Sequence, residues 1–467
     1  MKLSDICKIK SDMVVKGITA DSREVEQGFI FGSLNDDAYV EDAVTKGAKV
    51  VIVGQDYEKE FAGVEVIRVA NPAKVYAEMV AKYYGAQPCH MAAITGTNGK
   101  TSIADFVRQI LSNMGIKAAS IGTLGVIRSD GESKDLANTT PNNVTLHKIL
   151  KELKTEGFEH VILEASSHGL HQGRLDGVEF EVAGFTNLTR DHLDYHKTFE
   201  NYFNAKMILF AERLKVGGVA VLNADVDCYG KIAEICLARR QKIISYGIKG
   251  KEIKLLKSYP QATGQILDLE YFGNRIEVEV SLVGGFQASN VMCAIGLAGA
   301  LSGKYDEVIK FVSQIQGAKG RLELVGIKNG AAIYIDYAHT PDALEQVLKA
   351  LRGHTQNKLK VLFGCGGNRD KGKRPIMGQI ANDLADEVFV SDDNPRFEDA
   401  DVIREEIMAS CQKGINIKDR AIAIKKAMDT LQSGDVLVLA GKGHETGQYV
   451  KGEVLPFSDH DEVKKNL

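Results

Sequence analysis

The run Thr95-Gly-Thr-Asn-Gly-Lys-Thr101 joins an apolar stretch, Met91-Ala-Ala-Ile94, to a segment with helical periodicity. Glycines at 96 and 99 let the backbone turn so that its N–H groups point inward, and the following helix brings its positive end to the same place. Together with Thr97 and Asn98 they form a cradle for phosphate. Lys100 adds a full charge able to reach the outer phosphates, and the Thr101 hydroxyl can hold magnesium. Ile94 stands where the common G-x-x-x-x-G-K-[ST] loop has its first glycine, so this is a variant loop. The chemistry it predicts is handling of ATP or a close relative with Mg2+.

Other residues could act beside it. Glu164 ends the apolar run His160–Leu163 and is followed by Ser166-Ser-His168. A carboxylate at the carboxyl end of a strand in the same sheet suits a magnesium ligand. Asn187-Leu-Thr-Arg-Asp-His-Leu-Asp-Tyr-His196 packs two histidines and two aspartates beyond another strand, where at least one imidazole is expected to contact metal or phosphate. Lys206 falls on a stripe with Phe199, Tyr202, Phe203 and Phe210, and its residue type alone predicts that it snorkels to water. Three loops follow strands near the C-terminus: Gly364-Cys-Gly-Gly-Asn-Arg369-Asp370, Asp393-Asn394-Pro395-Arg396 and Gly441-Lys-Gly-His-Glu445. Forked arginines suit carboxylates and a glutamate suits ammonium, so these loops describe a pocket for a small zwitterion.

Elements must hold these groups in place. Residues 1–88 carry strand-like runs at 28–31 and 49–54 and helix-like stretches at 40–46 and 72–85, with Gln87-Pro88 as a boundary. From His90 onward strands (91–95, 117–121, 159–165, 182–187, 217–223) alternate with helices (100–114, 143–156, 198–213, 227–239), which predicts a mostly parallel sheet covered on both faces. Period-two runs at 267–272 and 276–282 and a small-residue helix at 288–301 follow. Beyond a hinge-like Gly317–Gly320, strands at 331–336, 358–363, 387–391 and 435–440 alternate with helices at 341–352, 375–385, 400–412 and 419–432. The expected architecture is α/β with three domains: a small N-terminal α/β domain (1–88), a central P-loop domain (89–320) and a C-terminal Rossmann-like α/β domain (321–467).

The chain has 467 residues, about three domains by length, and a formal net charge of −4. That balance argues against nucleic-acid binding, and the N-terminal residues carry no apolar run long enough for a signal peptide or a membrane span. Seven scattered cysteines without a Cys-x-x-Cys pair read as reduced thiols, which points to the cytoplasm.

Taken in order, Asp21-Ser22-Arg23, the 95–101 loop, Asn138-Thr139-Thr140-Pro141 and Glu164-Ala-Ser166-Ser-His168 resemble the Mur ligases of bacterial cell-wall synthesis. So do the 187–196 run, Lys206, Asn290, Gly320-Arg321-Leu-Glu323, Asp336-Tyr-Ala-His339 and the three C-terminal loops. Within that family the pattern is most similar to the branch that adds the third residue to UDP-N-acetylmuramoyl-L-alanyl-D-glutamate, and Asp-Asn-Pro-Arg is the form associated with meso-diaminopimelate.

The resemblance implies ATP-dependent amide formation through an acyl phosphate. Lys100 would steady the transferring phosphoryl group; Thr101 and Glu164 would hold one magnesium; His192 and a carbamylated Lys206 would hold or orient a second. Asn290, Arg321, Asp336 and His339 would bind nucleotide. Ser22, Thr139, Thr140, Ser166, Gln172 and Arg174 would contact the UDP-muramyl dipeptide. Arg369, Asp393, Asn394, Pro395, Arg396, Gly441 and Glu445 would take the amino acid. A monomer is expected. The chain departs from the pattern in a shorter 31–39 loop, in Asn368 where aspartate is usual, and in Gln287 for a common asparagine. The competing readings are a lysine-adding ligase of the same type and a folylpolyglutamate synthase-like ligase.

Overall fold

Strands made of uninterrupted apolar residues need burial on both faces, which a helix-covered parallel sheet provides. The computed structural model, which describes every residue except Lys8, Lys10, Asn35 and Ala262, is built this way. The chain packs as two compact units, residues 1–245 with 296–305, and residues 246–295 with 306–467.

The first unit opens with a parallel sheet in the order β1 (Gly17–Thr19), β2 (Phe29–Gly32), β3 (Val50–Gly54), β4 (Glu65–Val69). The β3 side chains Val50 to Val53 are fully buried. Helix α1 (Pro72–Tyr84) starts on an Asn71 cap with proline at its first turn and stops at left-handed Gly85. The Gln87-Pro88 boundary leads straight into the next sheet, and Gln87 donates to the Glu179 carbonyl at 3.1 Å. The 31–39 loop contains Asn35, which lies outside the described residues.

The expected alternation follows: β5 (His90–Thr95), α2 (Lys100–Asn113), β6 (Ala118–Gly122), β7 (Gly125–Arg128), α3 (Asn143–Thr155), β8 (His160–Glu164), β9 (Phe180–Phe185), α4 (Phe199–Ile208) and β10 (Leu214–Asn223). Strands β10, β9, β5, β8 and β6 pair in parallel in that order, and β7 adds antiparallel to β6. The loops that could carry chemistry therefore leave the carboxyl ends of adjacent strands. One expectation needs correction. The helix predicted over 198–213 is α-helical to Ile208 and then makes a π-helical turn, Leu209–Arg213. Phe199 is exposed, so the buried stripe of α4 is Tyr202, Ala205, Lys206 and Met207.

The second unit contains an antiparallel meander, β11 (Ile253–Gln261), β12 (Gly264–Tyr271) and β13 (Asn274–Val280). Its main sheet has the order β14 (Glu323–Lys328), β15 (Ala331–Asp336), β19 (Val436–Ala440), β16 (Leu359–Phe363), β17 (Glu387–Val390), β18 (Gly414–Asn416), parallel except at β14. Helices Pro341–Arg352, Lys373–Leu384, Ala400–Met408 and Arg420–Asp429 intervene, the third ending four residues earlier than its sequence pattern suggested. A hairpin, Gly447–Val450 with Glu453–Pro456, and a last helix, Asp459–Asn466, were not anticipated. The hinge-like loop is fixed at its end. Gly320 has φ +67, and a Cβ there would lie 2.3 Å from the His444 amide nitrogen, so only glycine fits. All seven cysteines are free thiols. Among the described residues no helix is long and apolar enough to cross a membrane.

Candidate active site

The phosphate loop keeps its shape because the end of β9 braces it. Thr186 Oγ1 donates to the Asn98 carbonyl at 2.7 Å, and Asn187 accepts from the Asn98 and Thr97 amides, each at 2.9 Å. Gly96 has φ +143, and a Cβ would sit 1.9 Å from Thr186 Oγ1; Gly99, at φ +88, caps α2. No other residue type fits at Gly96 without displacing the brace. Lys100 folds back over the loop, its Nζ donating to the carbonyls of Gly96 (2.9 Å) and Thr97 (2.7 Å).

Thr101 and Glu164 meet as expected: Thr101 Oγ1 donates to Glu164 Oε2 at 2.9 Å, and the carboxylate is almost completely buried. Glu164 Oε1 accepts the Thr123 amide at 2.8 Å, and Gly122 leaves the room it needs, since a Cβ there would lie 2.1 Å from that oxygen. Two hard oxygen donors at the start of the helix fit a magnesium ion. Among the described residues no group of three or more His, Cys, Asp or Glu side chains is placed to hold a metal.

Lys206 does not snorkel. It is 1% exposed, its Nζ donates to the Gly96 carbonyl at 2.7 Å, and it lies 4.3 Å from the Tyr202 ring centre. Helix α4 is roofed on this side by the loop and by Tyr202, whose hydroxyl meets Thr97 Oγ1 at 3.1 Å, so no path leads the lysine to water. Burial, and then the charge of Lys100, holds its amine well below the ordinary lysine range. His192, left-handed at φ +53, has Nε2 3.3 Å from Asp191 and its ring 4.8 Å from His168. Burial also lowers the His192 imidazole. The structure therefore unites Lys206 with the loop and Thr101 with Glu164, and places His192 in a cluster of His168, His171, Tyr195 and His196. That cluster adjoins Lys206 through Tyr202, whose ring lies 6.1 Å from His192 and 5.3 Å from His196.

Except for Ser22, the residues expected at the peptide substrate form hydrogen-bonded groups that meet at Glu164, which accepts from the Thr123 hydroxyl (3.3 Å) and, at its carbonyl, from the Thr140 hydroxyl (2.8 Å). Thr139 meets Thr123 (3.0 Å), Thr140 meets Ser166 (2.9 Å), Arg174 donates to the Thr140 carbonyl (2.8 Å) and to Gln172 (3.0 Å), and Gln172 donates to Tyr195 (3.1 Å). Ser22 lies apart from them at the first sheet, buried, with its carbonyl accepting from Lys46 at 3.2 Å.

In the second unit Asn290 donates to buried Gln287 at 2.9 Å, so the unusual glutamine orients it. Asp336 accepts the amides of Leu322 and Ala338, both at 2.7 Å, and burial raises its carboxyl. The Arg321 guanidinium lies 4.7 Å over the Tyr337 ring, and His339 packs on the same ring at 4.8 Å. Asp393, Asn394 and Pro395 are buried; Arg396, at φ +55, donates to the Gly367 carbonyl at 2.9 Å, while Arg369 is exposed. Asn368 sits at φ +53 and its side-chain oxygen accepts the Phe397 amide at 3.0 Å, a left-handed cap that asparagine tolerates well. Asn394 donates to Glu445 at 2.9 Å, and a Cβ on Gly441 would lie 3.2 Å from Asp393.

Sequence reasoning placed Tyr202 beside Lys206 on the helical stripe but missed Thr123, Tyr337 and Lys442 as members of these clusters. The last two lie inside motifs already singled out and could have been found there. Thr123 gave no signal.

Residues 94–298 match the Mur ligase middle domain, and residues 320–443 the Mur ligase, glutamate ligase domain. The chain is 47% identical to the UDP-N-acetylmuramoyl-L-alanyl-D-glutamate–2,6-diaminopimelate ligase of Agrobacterium fabrum over 97% of this chain and 93% of that one. The enzyme of the same name from Rhizobium meliloti is 46% identical over 97% and 94%. A solved structure of a ligase of that name superposes with TM-score 0.74 at 33% identity, covering 100% of this chain and 98% of the other. MurF ligase from Thermotoga maritima in complex with ADP, 19% identical with TM-score 0.64 over 98% of each chain, shares the fold. The chain belongs to the Mur ligase family, in its UDP-N-acetylmuramoyl-L-alanyl-D-glutamate–2,6-diaminopimelate ligase branch.

Proposed function

We propose that the protein uses ATP to join meso-diaminopimelate to UDP-N-acetylmuramoyl-L-alanyl-D-glutamate during peptidoglycan synthesis. One observation carries this reading. The phosphate loop, the Thr101–Glu164 pair and all three charged C-terminal loops are intact in a chain 47% identical, over 97% of its length, to an enzyme of that name.

Residues 1–88 would seat the UDP end with Ser22, residues 89–320 the ATP and muramyl peptide, and residues 321–467 the amino acid. The dipeptide's free carboxylate takes the terminal phosphoryl group of ATP. The amine then attacks the acyl phosphate carbonyl, and the tetrahedral intermediate expels phosphate. With the Thr97 and Asn98 amides held by Asn187, the amides of Gly99 and Lys100 at the helix start would hold the phosphates, and Lys100 exchanges its loop carbonyls for their oxygens. Thr139, Thr140, Ser166, Gln172 and Arg174 fix the dipeptide so that its carboxylate faces the phosphoryl group. Thr101 and Glu164 would hold magnesium, which when bound neutralises charge on the transferring group.

Lys206 is placed for carbamylation. A buried amine whose protonated form is disfavoured gives up its proton readily and acts as a nucleophile: its nitrogen bonds the carbon of CO2, a proton leaves, and a carboxylate stands where an ammonium would oppose a cation. His192 would orient that anion or the ion beside it. Asn290, Arg321, Asp336 and His339 would bind the nucleotide. Arg396 and Arg369 offer forked donors to the far carboxylate of diaminopimelate, while Glu445 and the Gly441 carbonyl take its far ammonium. Asp393, Asn394 and Pro395 shape that loop. Free thiols throughout and a nucleotide-linked substrate favour action in the cytoplasm.

The test is product identification. Incubation with ATP, magnesium, the UDP-muramyl dipeptide and diaminopimelate should yield the tripeptide, ADP and phosphate in equal amounts. ADP formed without new amide would sink the proposal.

A further inference from the structure

Lys442 has no role in the account so far, yet it lies at the centre of the amino-acid loops. It is fully buried just past β19. Its Nζ donates to the Gly447 carbonyl at 2.7 Å and approaches Asn394 Oδ1 (3.3 Å), Glu445 Oε2 (3.4 Å) and Asp393 Oδ1 (3.8 Å). That Asp393 oxygen is buried and accepts no hydrogen bond, and the carboxylate lies against Gly441. Arg396 is tied to the same cluster through its own loop and through the Gly447–Val450 strand, its amide donating to the Tyr449 carbonyl at 2.9 Å.

Charge decides what such a pocket accepts. Among its groups withdrawn from water, Arg396 and Lys442 balance Asp393 and Glu445, while exposed Arg369 is screened by solvent, so the buried part of the pocket is neutral. A ligand end that is itself a zwitterion, carboxylate beside ammonium, enters without leaving a net charge out of water. A bare ammonium brings one uncompensated positive charge into the pocket, which is costly where groups are buried. Remove one of the two cations and the balance becomes one negative charge, which suits a bare ammonium instead.

We infer that Lys442 is a specificity-determining residue, a buried counter-charge that keeps the amino-acid pocket neutral and so matched to a zwitterionic side-chain end over a lysine-like one. This rests on the proposed diaminopimelate reading. The lysine would act through Glu445, Asp393 and Asn394, as a positioning residue that need not touch the substrate.

The experiment compares kcat/KM for diaminopimelate and for lysine in the full-length protein, with KM for ATP and for the UDP-muramyl dipeptide recorded alongside. Lys442→Met should lower the diaminopimelate-to-lysine ratio by about 10-fold or more, the scale of one charged hydrogen-bond partner. Arg396→Ala should move the ratio in the same direction. Glu445→Gln makes the pocket positive and should move it the opposite way, so the charge argument stays testable if Lys442→Met does not fold. A merely structural role would lower both amino acids together and leave the ratio in place. An unchanged ratio in Lys442→Met, or the same direction of shift in Glu445→Gln, would overturn the inference. Wild-type protein that uses no diaminopimelate would instead overturn the functional reading beneath it.

Discussion

Lys100 and Lys206 donate to one oxygen, the Gly96 carbonyl, at 2.9 and 2.7 Å. Two ammonium groups sharing an acceptor repel each other strongly when one is out of water. Lys206 is the buried member, and burial, then the charge of Lys100, holds its amine well below the ordinary lysine range. The phosphate loop thus pairs a lysine that can reach phosphate with one whose ammonium form burial disfavours.

An ammonium disfavoured at that place predicts the carbamate. Protein exchanged into labelled bicarbonate should show one carbamate carbon signal, absent from Lys206→Ala. The variant should be nearly inactive and regain activity with short-chain carboxylates. An unmodified amine in fully active protein would contradict this.

Lys100→Ala should cut kcat by about 10²–10³ or more, because a preorganised cation at the transferring group acts mainly in the transition state. Steady-state rates at saturating ATP check it. Near-normal turnover would remove Lys100 from the mechanism.

Stability has its own buried pair. Arg420 Nε and Nη2 donate to both oxygens of Asp459 at 2.8 and 2.7 Å, both residues are fully buried, and Arg420 also reaches the Ala440 carbonyl at 3.1 Å. Asp459→Ala strands that charge and should cost about 3–5 kcal/mol in denaturant unfolding. Asp419→Ala, which removes an exposed cap of the Arg420–Asp429 helix, should cost about 1 kcal/mol.

His160 gives a pH signature. Its ring stacks on His90 at 4.5 Å, and burial, then the neighbouring His90, pushes its imidazole down to about 4. A base with a lowered folded pKa is stabilising above its unfolded value near 6.5, and that contribution is lost as pH falls toward 4. The melting temperature should decline across this window, and His160→Asn should flatten the decline. An equally steep decline in the variant would assign it to other groups.

Much of this was legible in the residues. The glycine loop, Thr101 and Glu164 could be placed because a strand followed at once by a phosphate turn fixes its partners through the order of a parallel sheet. Lys206 could not be read from its own helix. What buries it is Tyr202 together with a loop more than a hundred residues away in sequence, and helical periodicity carries no information about such a roof. The π-helical turn after Ile208 and the 447–456 hairpin were hidden for a similar reason, since both depend on tertiary contacts more than on propensity. Lys442 was in plain view within Gly441–Glu445, but its burial among Asp393, Asn394 and Glu445 needed two loops to be brought together.

The central claim is that the second unit selects diaminopimelate. The most direct measurement is phosphate release by wild-type protein with ATP, magnesium and the UDP-muramyl dipeptide, diaminopimelate and lysine being titrated in separate reactions. A site built around a partner's carboxylate discriminates by about 10⁴-fold when fully desolvated. Exposed Arg369 keeps part of this pocket wet, so kcat/KM should favour diaminopimelate by somewhat less than that. Equal kcat/KM for the two amino acids would contradict the account.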